Sequence, residues 1–168
     1  MAAHEQEALL EQWMLAYEND VLRLCFLYLK DLALAQDATQ DTFLKAWRNM
    51  RQFQGRGDCS ARTWIMRIAI NTCKDYRRSA WMKRVDARRA LEDLPPALHP
   101  VTDAQRDLFL DVLALPEKYR QVILLYYYQD MSMEETAQSL GISRPAVARR
   151  LNKACELLRY DPEGGDKA

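Results

Sequence analysis

Thr63, Arg67, Asn71, Lys74 and Arg78 stand at offsets of 0, 4, 8, 11 and 15. At about 100° per residue, that spacing lines them along one side of a helix. Three cations and one amide on a single face fit a nucleic-acid backbone, with one base-reading group among the phosphate contacts. A second set is Arg144, Pro145, Ala146, Arg149, Arg150 and Lys153. Val147, Leu151, Ala154 and Leu158 form an apolar stripe there. Pro145, Arg149 and Asn152 fall opposite it, and Arg144, Arg150 and Lys153 flank it. Arg149 can donate two hydrogen bonds to one guanine, whereas Arg150 and Lys153 suit phosphates. A third set, Asp37, Gln40, Asp41, Leu44 and Arg48, faces outward from another amphipathic stretch. An apolar Leu44 among polar neighbours hints at a protein partner.

Catalytic chemistry has no comparable constellation. A nuclease or recombinase needs a nucleophile with basic partners or a carboxylate cluster holding metal. Ser60 near Arg56 and Arg62 is a weak substitute. Cys25, Cys59, Cys73 and Cys155 form no Cys-x-x-Cys pair, and His4 and His99 are the only histidines. A zinc site draws on clustered Cys and His, so no metal and no cofactor is expected, and the chain reads as a non-enzyme. Reduced, buried thiols in a cytoplasmic protein are the expectation.

The elements that position these sets are helical nearly throughout. Leu10, Trp13, Tyr17, Val21, Leu24 and Tyr28 recur at spacings of three and four, predicting one long helix. A second is predicted from Leu34 to Met50, with Ala35, Thr39, Thr42, Phe43 and Ala46 inward. A third runs from Thr63 to Ser79, with Ile65, Ile68, Ala69, Thr72 and Tyr76 buried. Between them Gln54–Ser60 reads as a loop with two glycines, flanked by Phe53 and Trp64, each either core or a platform for an unstacked base. Leu94-Pro95-Pro96 and His99-Pro100 cannot continue a helix. Helices then follow from Thr102 to Ala114 and from Pro116 to Gln129. Ser132 and Glu135 make a capping box, Gly141 suits a left-handed cap, and Ser143 caps another helix. Two helices joined by a tight glycine turn make a helix-turn-helix.

The predicted architecture is all-α, with domains at 1–80 and 102–160, a linker at 81–101 and a flexible tail at 161–168. With 168 residues, two small domains fit. The formal net charge is zero, yet residues 55–90 carry 10 basic and 3 acidic groups, and residues 91–140 carry 3 and 9. Such segregation suggests separate contacts with a polyanion. No apolar run approaches the roughly 20 residues of a membrane span, and Met1–Asp20 is too acidic for a secretory signal.

Together, DATQDTFLKAW (Asp37–Trp47), RTWIMRIAINTCKDYRR (Arg62–Arg78) and LPEKYRQVILLYYYQDMSMEETAQSLGIS (Leu115–Ser143) resemble the extracytoplasmic-function (ECF) sigma factors of bacterial RNA polymerase. The resemblance implies a first domain that binds a coiled coil on the largest polymerase subunit and opens the minus-ten promoter element. It implies a second that binds the minus-35 element as duplex. By position, Asp37, Gln40, Asp41, Leu44 and Arg48 resemble the polymerase-binding face. Asn71 resembles the asparagine beside the flipped minus-ten base, and Gly55–Ala61, with Arg56, Asp58 and Ser60, resembles the loop specific for it. Thr63, Arg67, Lys74 and Arg78 complete that minus-ten surface. Arg144, Pro145, Ala146, Arg149, Arg150 and Lys153 fall where the minus-35 major groove is met. The implied partners are core RNA polymerase, promoter DNA and an anti-sigma factor clamped between the domains. The rival reading is a conventional helix-turn-helix regulator that binds duplex without polymerase, which leaves the Thr63–Arg78 face and Leu44 unexplained.

Overall fold

The computed structural model describes residues 2–53, 60–79, 92–100, 102–158, 160–161 and 165–166. The chain folds as two compact units, Met1–Val85 and Asp86–Ala168. The elements of the first are α1 (Ala3–Leu29), α2 (Leu32–Asn49) and α3 (Ala61–Ser79), which pack pairwise into a three-helix bundle.

α1 ends where Lys30 turns left-handed at φ 59° and its N–H donates to the Phe26 carbonyl at 2.7 Å. Asp31 then caps α2, its carboxylate accepting from the Leu34 N–H at 3.0 Å. This cap starts the helix at Leu32, earlier than the apolar spacing alone predicts. The predicted stripe of α1 is too narrow at its C-terminal end, because Leu24–Leu29 are all fully buried. Six consecutive buried residues, each apolar side chain contributing about 1.5–3 kcal/mol, make this stretch the anchor of the bundle. In α3 the buried side consists of Ile65, Met66, Ala69, Ile70, Thr72 and Cys73, while Ile68 and Tyr76 are half-buried. The predicted stripe is therefore rotated toward Met66, Ile70 and Cys73, residues that spacing from Tyr76 did not select.

In the second unit, α4 (Asp103–Ala114) starts at Thr102, whose hydroxyl accepts from the Gln105 N–H at 3.1 Å. α5 (Glu117–Ile123) follows, and its last turn widens over Leu124–Tyr128, where the Gln129 N–H reaches the Leu124 carbonyl at 3.0 Å, five residues back. One unbroken α-helix from Pro116 to Gln129 was expected; the wider turn is the difference. Arg120 is buried on α5, and its Nη1 donates to the carbonyls of Leu115 (2.8 Å) and Leu113 (3.5 Å). It thereby satisfies acceptors orphaned at the end of α4. α6 (Met133–Leu140) and α7 (Arg144–Leu158) complete the unit, α7 packing on α4, α5 and α6.

Residues 92–100, inside the segment predicted as linker, hold a single 3-10 turn at Pro96–Leu98 and two buried leucines, Leu94 and Leu98. Residues 80–91 and 101 of that segment lie outside the described residues. The all-α expectation meets one small difference: Tyr160–Asp161, where the expected domain gives way to the expected tail, pairs antiparallel with Gly165–Asp166 in that tail.

Candidate functional site

Two surfaces carry the candidate chemistry, one in each unit. On α3, Asn71 is exposed, and Thr63, Arg67 and Lys74 are half-buried. The helix is fixed at its start by Ser60, whose Oγ accepts from the Thr63 N–H at 3.1 Å and donates to the Thr63 hydroxyl at 3.1 Å. Two candidate DNA contacts thus also form the cap that aims the helix. Arg56, Asp58 and the Arg78 side chain lie outside the described residues. Phe53 and Trp64 meet the buried Trp13, with ring centroids 5.2–5.8 Å apart in all three pairs. Of the two readings given to Phe53 and Trp64, the cluster favours core, with both rings still half-exposed.

A polar seam joins α3 to α2. The Tyr76 hydroxyl donates to Asp41 Oδ2 at 2.5 Å. Lys45 Nζ donates to the Thr72 hydroxyl at 3.1 Å and lies 3.5 Å from Asp75 Oδ2. Burial first, then the bond to Asp41 and the nearby Asp41 and Asp37 charges, push the Tyr76 phenol above its ordinary range. The expected outward set on α2 therefore divides. Asp37, Gln40, Leu44 and Arg48 are exposed, whereas Asp41 is half-buried and turned to α3. A helix projection places Asp41 outward because it cannot see the partner helix that receives it. Below the seam, the neighbouring Cys25 thiol, and then burial, raise Cys73 well above the usual thiol range, while Lys45 acts the other way. Cys25, Cys73 and Cys155 are buried free thiols.

Leu44 is 50 % exposed and lines a groove of about 510 Å³ between α1 and α2, with Leu10, Met14, Phe43 and Trp47. Nothing in the sequence reading drew α1 into a site. The acidic spacing of Glu7, Glu11 and Glu18 was the available signal.

In the second unit, Ser132 and Glu135 form the capping box: the Glu135 N–H donates to Ser132 Oγ at 3.0 Å and the Ser132 N–H to Glu135 Oε2 at 2.9 Å. α6 ends at Gly141, φ 65°, with nothing within 4 Å of where a Cβ would stand. The Ile142 N–H closes the turn on the Ala137 carbonyl at 3.1 Å. Ser143 Oγ then accepts from the Ala146 N–H at 3.3 Å, opening α7. Arg144, Pro145, Arg149, Asn152 and Lys153 are exposed, while Ala146 and Arg150 are half-buried. Lys153 lies 3.6 Å from Glu156. The inward stripe consists of Val147, Leu151, Ala154 and Cys155; the expected Leu158 is half-buried at the end of α7. Among the described residues no group of three or more His, Cys, Asp or Glu could hold a metal ion. None of the described helices is long and apolar enough to cross a membrane.

Residues 13–82 match the family described as Sigma-70 region 2, and residues 112–158 match Sigma-70, region 4. The ECF RNA polymerase sigma factor SigL of Mycobacterium tuberculosis is 36 % identical over 135 residues, which cover 77 % of this chain and 75 % of SigL. The probable RNA polymerase sigma factor RfaY of Xanthomonas campestris is 27 % identical over 155 residues, 87 % of this chain. The match spans 38 % of RfaY's length. In fold, the chain is similar to the sigma factor RpoE of Bartonella quintana, solved in complex with the anti-sigma factor NepR. The TM-score is 0.69 at 21 % identity, covering 89 % of this chain and 93 % of that one.

Proposed function

We infer the mechanism from one premise: the chain belongs to the ECF sigma factors, and it directs promoter-specific transcription by core RNA polymerase. The polymerase performs the catalysis, and this chain is no enzyme; it supplies the address and the melting. α3 meets the minus-ten element, with Thr63, Arg67 and Lys74, together with Arg78, along the phosphates and Asn71 beside an unpaired base. Arg56, Asp58 and Ser60 belong to the loop that selects that base. α7 enters the minus-35 major groove with Arg144, Pro145, Ala146 and Arg149 near base edges and Arg150 and Lys153 at phosphates. The domains are 1–80 and 102–160, joined by the segment 81–101, with 161–168 as the tail.

The observation that carries this reading is Asn71. It is an exposed amide flanked by half-buried Arg67 and Lys74 on a helix whose other side is fully packed. A duplex-only regulator has no use for such a face in a unit separate from its helix-turn-helix. Capture of an unstacked base offsets the few kcal/mol lost by unpairing it. Each phosphate contact adds salt-dependent affinity, and holding both units on one polymerase raises their effective concentration at a bipartite site.

Asp37, Gln40, Leu44 and Arg48 meet the coiled coil of the largest polymerase subunit, and Asp41 contributes there while also holding Tyr76. An anti-sigma factor restrains the free chain. The fold's likeness to RpoE, solved with NepR, supports that partner. The working compartment is the cytoplasm, where polymerase and reduced thiols coexist.

Run-off transcription with core polymerase on genomic promoter fragments tests the proposal. The expected result is discrete transcripts in the presence of this chain and none without it. Tight binding to a palindromic duplex with no polymerase requirement would instead mark a conventional regulator.

A further inference from the structure

We propose that Trp13 and Asp20 of α1 are positioning residues for minus-ten base selection: they fix where the chain leaves the bundle at Phe53 and where it re-enters at Ser60. The proposal rests on the minus-ten assignment above and deepens it. It adds two residues that act through Ser60 and Thr63 rather than on DNA, since Trp13 is buried and Asp20 is an anion that repels phosphate.

Asp20 follows Trp13 by two helical turns, so both project from one face of α1, about 10 Å apart along its axis. The Trp13 ring meets the Phe53 ring at 5.4 Å, edge-on at 85°, and the Trp64 ring at 5.8 Å. Phe53 and Trp64 stand 5.2 Å from each other, centroid to centroid. A flexible chain of the length that separates them in sequence would on average hold its ends roughly 18 Å apart. One buried indole thus gathers two points that the chain alone would leave distant. Asp20 makes the second tie: its Oδ2 lies 3.6 Å from Arg62 Nε, with both side chains partly exposed.

Both ties converge on the first turn of α3. The Trp64 N–H donates to the Ser60 carbonyl at 3.0 Å, and the Ser60 hydroxyl accepts from the Thr63 N–H at 3.1 Å. Ser60, Arg62, Thr63 and Trp64 therefore move as one turn, and a shift of the Trp64 ring or of Arg62 carries Ser60 and Thr63 with it. A recognition group must be held within about 0.5 Å of its productive geometry by neighbours that are themselves locked by packing. Trp13 meets that condition at 5 % exposure, whereas Phe53 and Trp64 stay half-buried. The enclosed ring steadies the two more open ones, and through them the start of the melting helix.

The test is run-off transcription by reconstituted holoenzyme from one promoter and its single-base variants at each minus-ten position. Core-polymerase affinity and thermal melts of the full chain are measured alongside. Wild type should prefer its own minus-ten base by about 5- to 150-fold. Trp13→Leu should cut that preference by roughly fivefold or more, and Asp20→Arg by roughly threefold, with polymerase binding within about twofold of wild type. Trp13→Phe, which keeps a ring against Phe53 and Trp64, should retain most of the preference. Asp20 is only half-buried, so Asp20→Arg should fold even where Trp13→Leu does not, and it then decides alone. If either folded variant keeps the wild-type preference within about twofold while output falls on all promoters in step with the melting temperature, the cluster is packing alone and the proposal is overturned. If wild type itself shows no preference among the minus-ten variants, the minus-ten assignment has failed and the proposal with it.

Discussion

The Tyr76→Phe substitution isolates the seam between the polymerase-facing helix and the melting helix. It deletes one oxygen, the donor to Asp41 Oδ2, and leaves the ring in place. A hydrogen bond to a charged group contributes about 1.5–3 kcal/mol when buried. Here both side chains are half-buried, so water partly re-solvates Asp41, and the expected loss falls to about 1 kcal/mol. For a cooperative unit of under 100 residues, that corresponds to roughly 4–8 °C in Tm. The pH dependence has a definite sign. Folding raises the Tyr76 phenol above its ordinary value, so the folded state holds the proton more tightly than the unfolded chain. This contribution is complete below about pH 10, the ordinary tyrosine value, and is lost as pH climbs through the raised one. Scanning calorimetry of the full chain should therefore find the wild-type advantage over Tyr76→Phe constant from pH 7 to 9 and shrinking above 10. A double-mutant cycle with Asp41→Ala should return most of the 1 kcal/mol as coupling. Equal melting of wild type and Tyr76→Phe, or an advantage that grows with alkali, would refute the seam as described.

In the second unit, Arg120→Met keeps the volume but strands the Leu113 and Leu115 carbonyls, and should cost about 2–3 kcal/mol, read as an earlier transition of that unit in the same calorimetric trace. Gly141→Ala meets no neighbouring atom yet must hold φ 65°; the expected cost is about 1 kcal/mol by denaturant melt, from backbone strain alone. Arg149→Ala should weaken specific minus-35 duplex binding by about 1–3 kcal/mol and relax the preference at one base pair. Arg150→Ala should instead weaken all duplexes and reduce the slope of log affinity against log salt by about 1.

Elements whose signals are local were legible in the sequence. The capping box of Ser132 and Glu135, the turn at Gly141 and the start of α7 each depend on residues within four positions, and each stands where spacing put it. The outward placement of Asn71 and Arg149 followed equally from helical period. What escaped was every feature made by a partner far away in the chain. Tyr76, placed on a buried stripe, announces that its hydroxyl needs an acceptor, but nothing local says that the acceptor is Asp41, 35 residues earlier. Arg120 drew no assignment from its neighbours in sequence, because its role depends on carbonyls at the end of α4 that only the fold brings to it. The rotation of the α3 stripe toward Met66 and Cys73 and the groove under Met14 arise from how three helices settle together, which no single helix encodes.

The central claim is that one unit of this chain grips unwound strands while the other grips duplex, with polymerase carrying both. Permanganate reactivity of promoter thymines in the reconstituted holoenzyme tests it most directly. Wild type should make minus-ten thymines reactive. Asn71→Ala should abolish that reactivity while leaving polymerase binding and minus-35 protection intact, and a pre-melted promoter should restore transcription. Full reactivity with Asn71→Ala, or reactivity that disappears together with minus-35 protection, would contradict the division of labour.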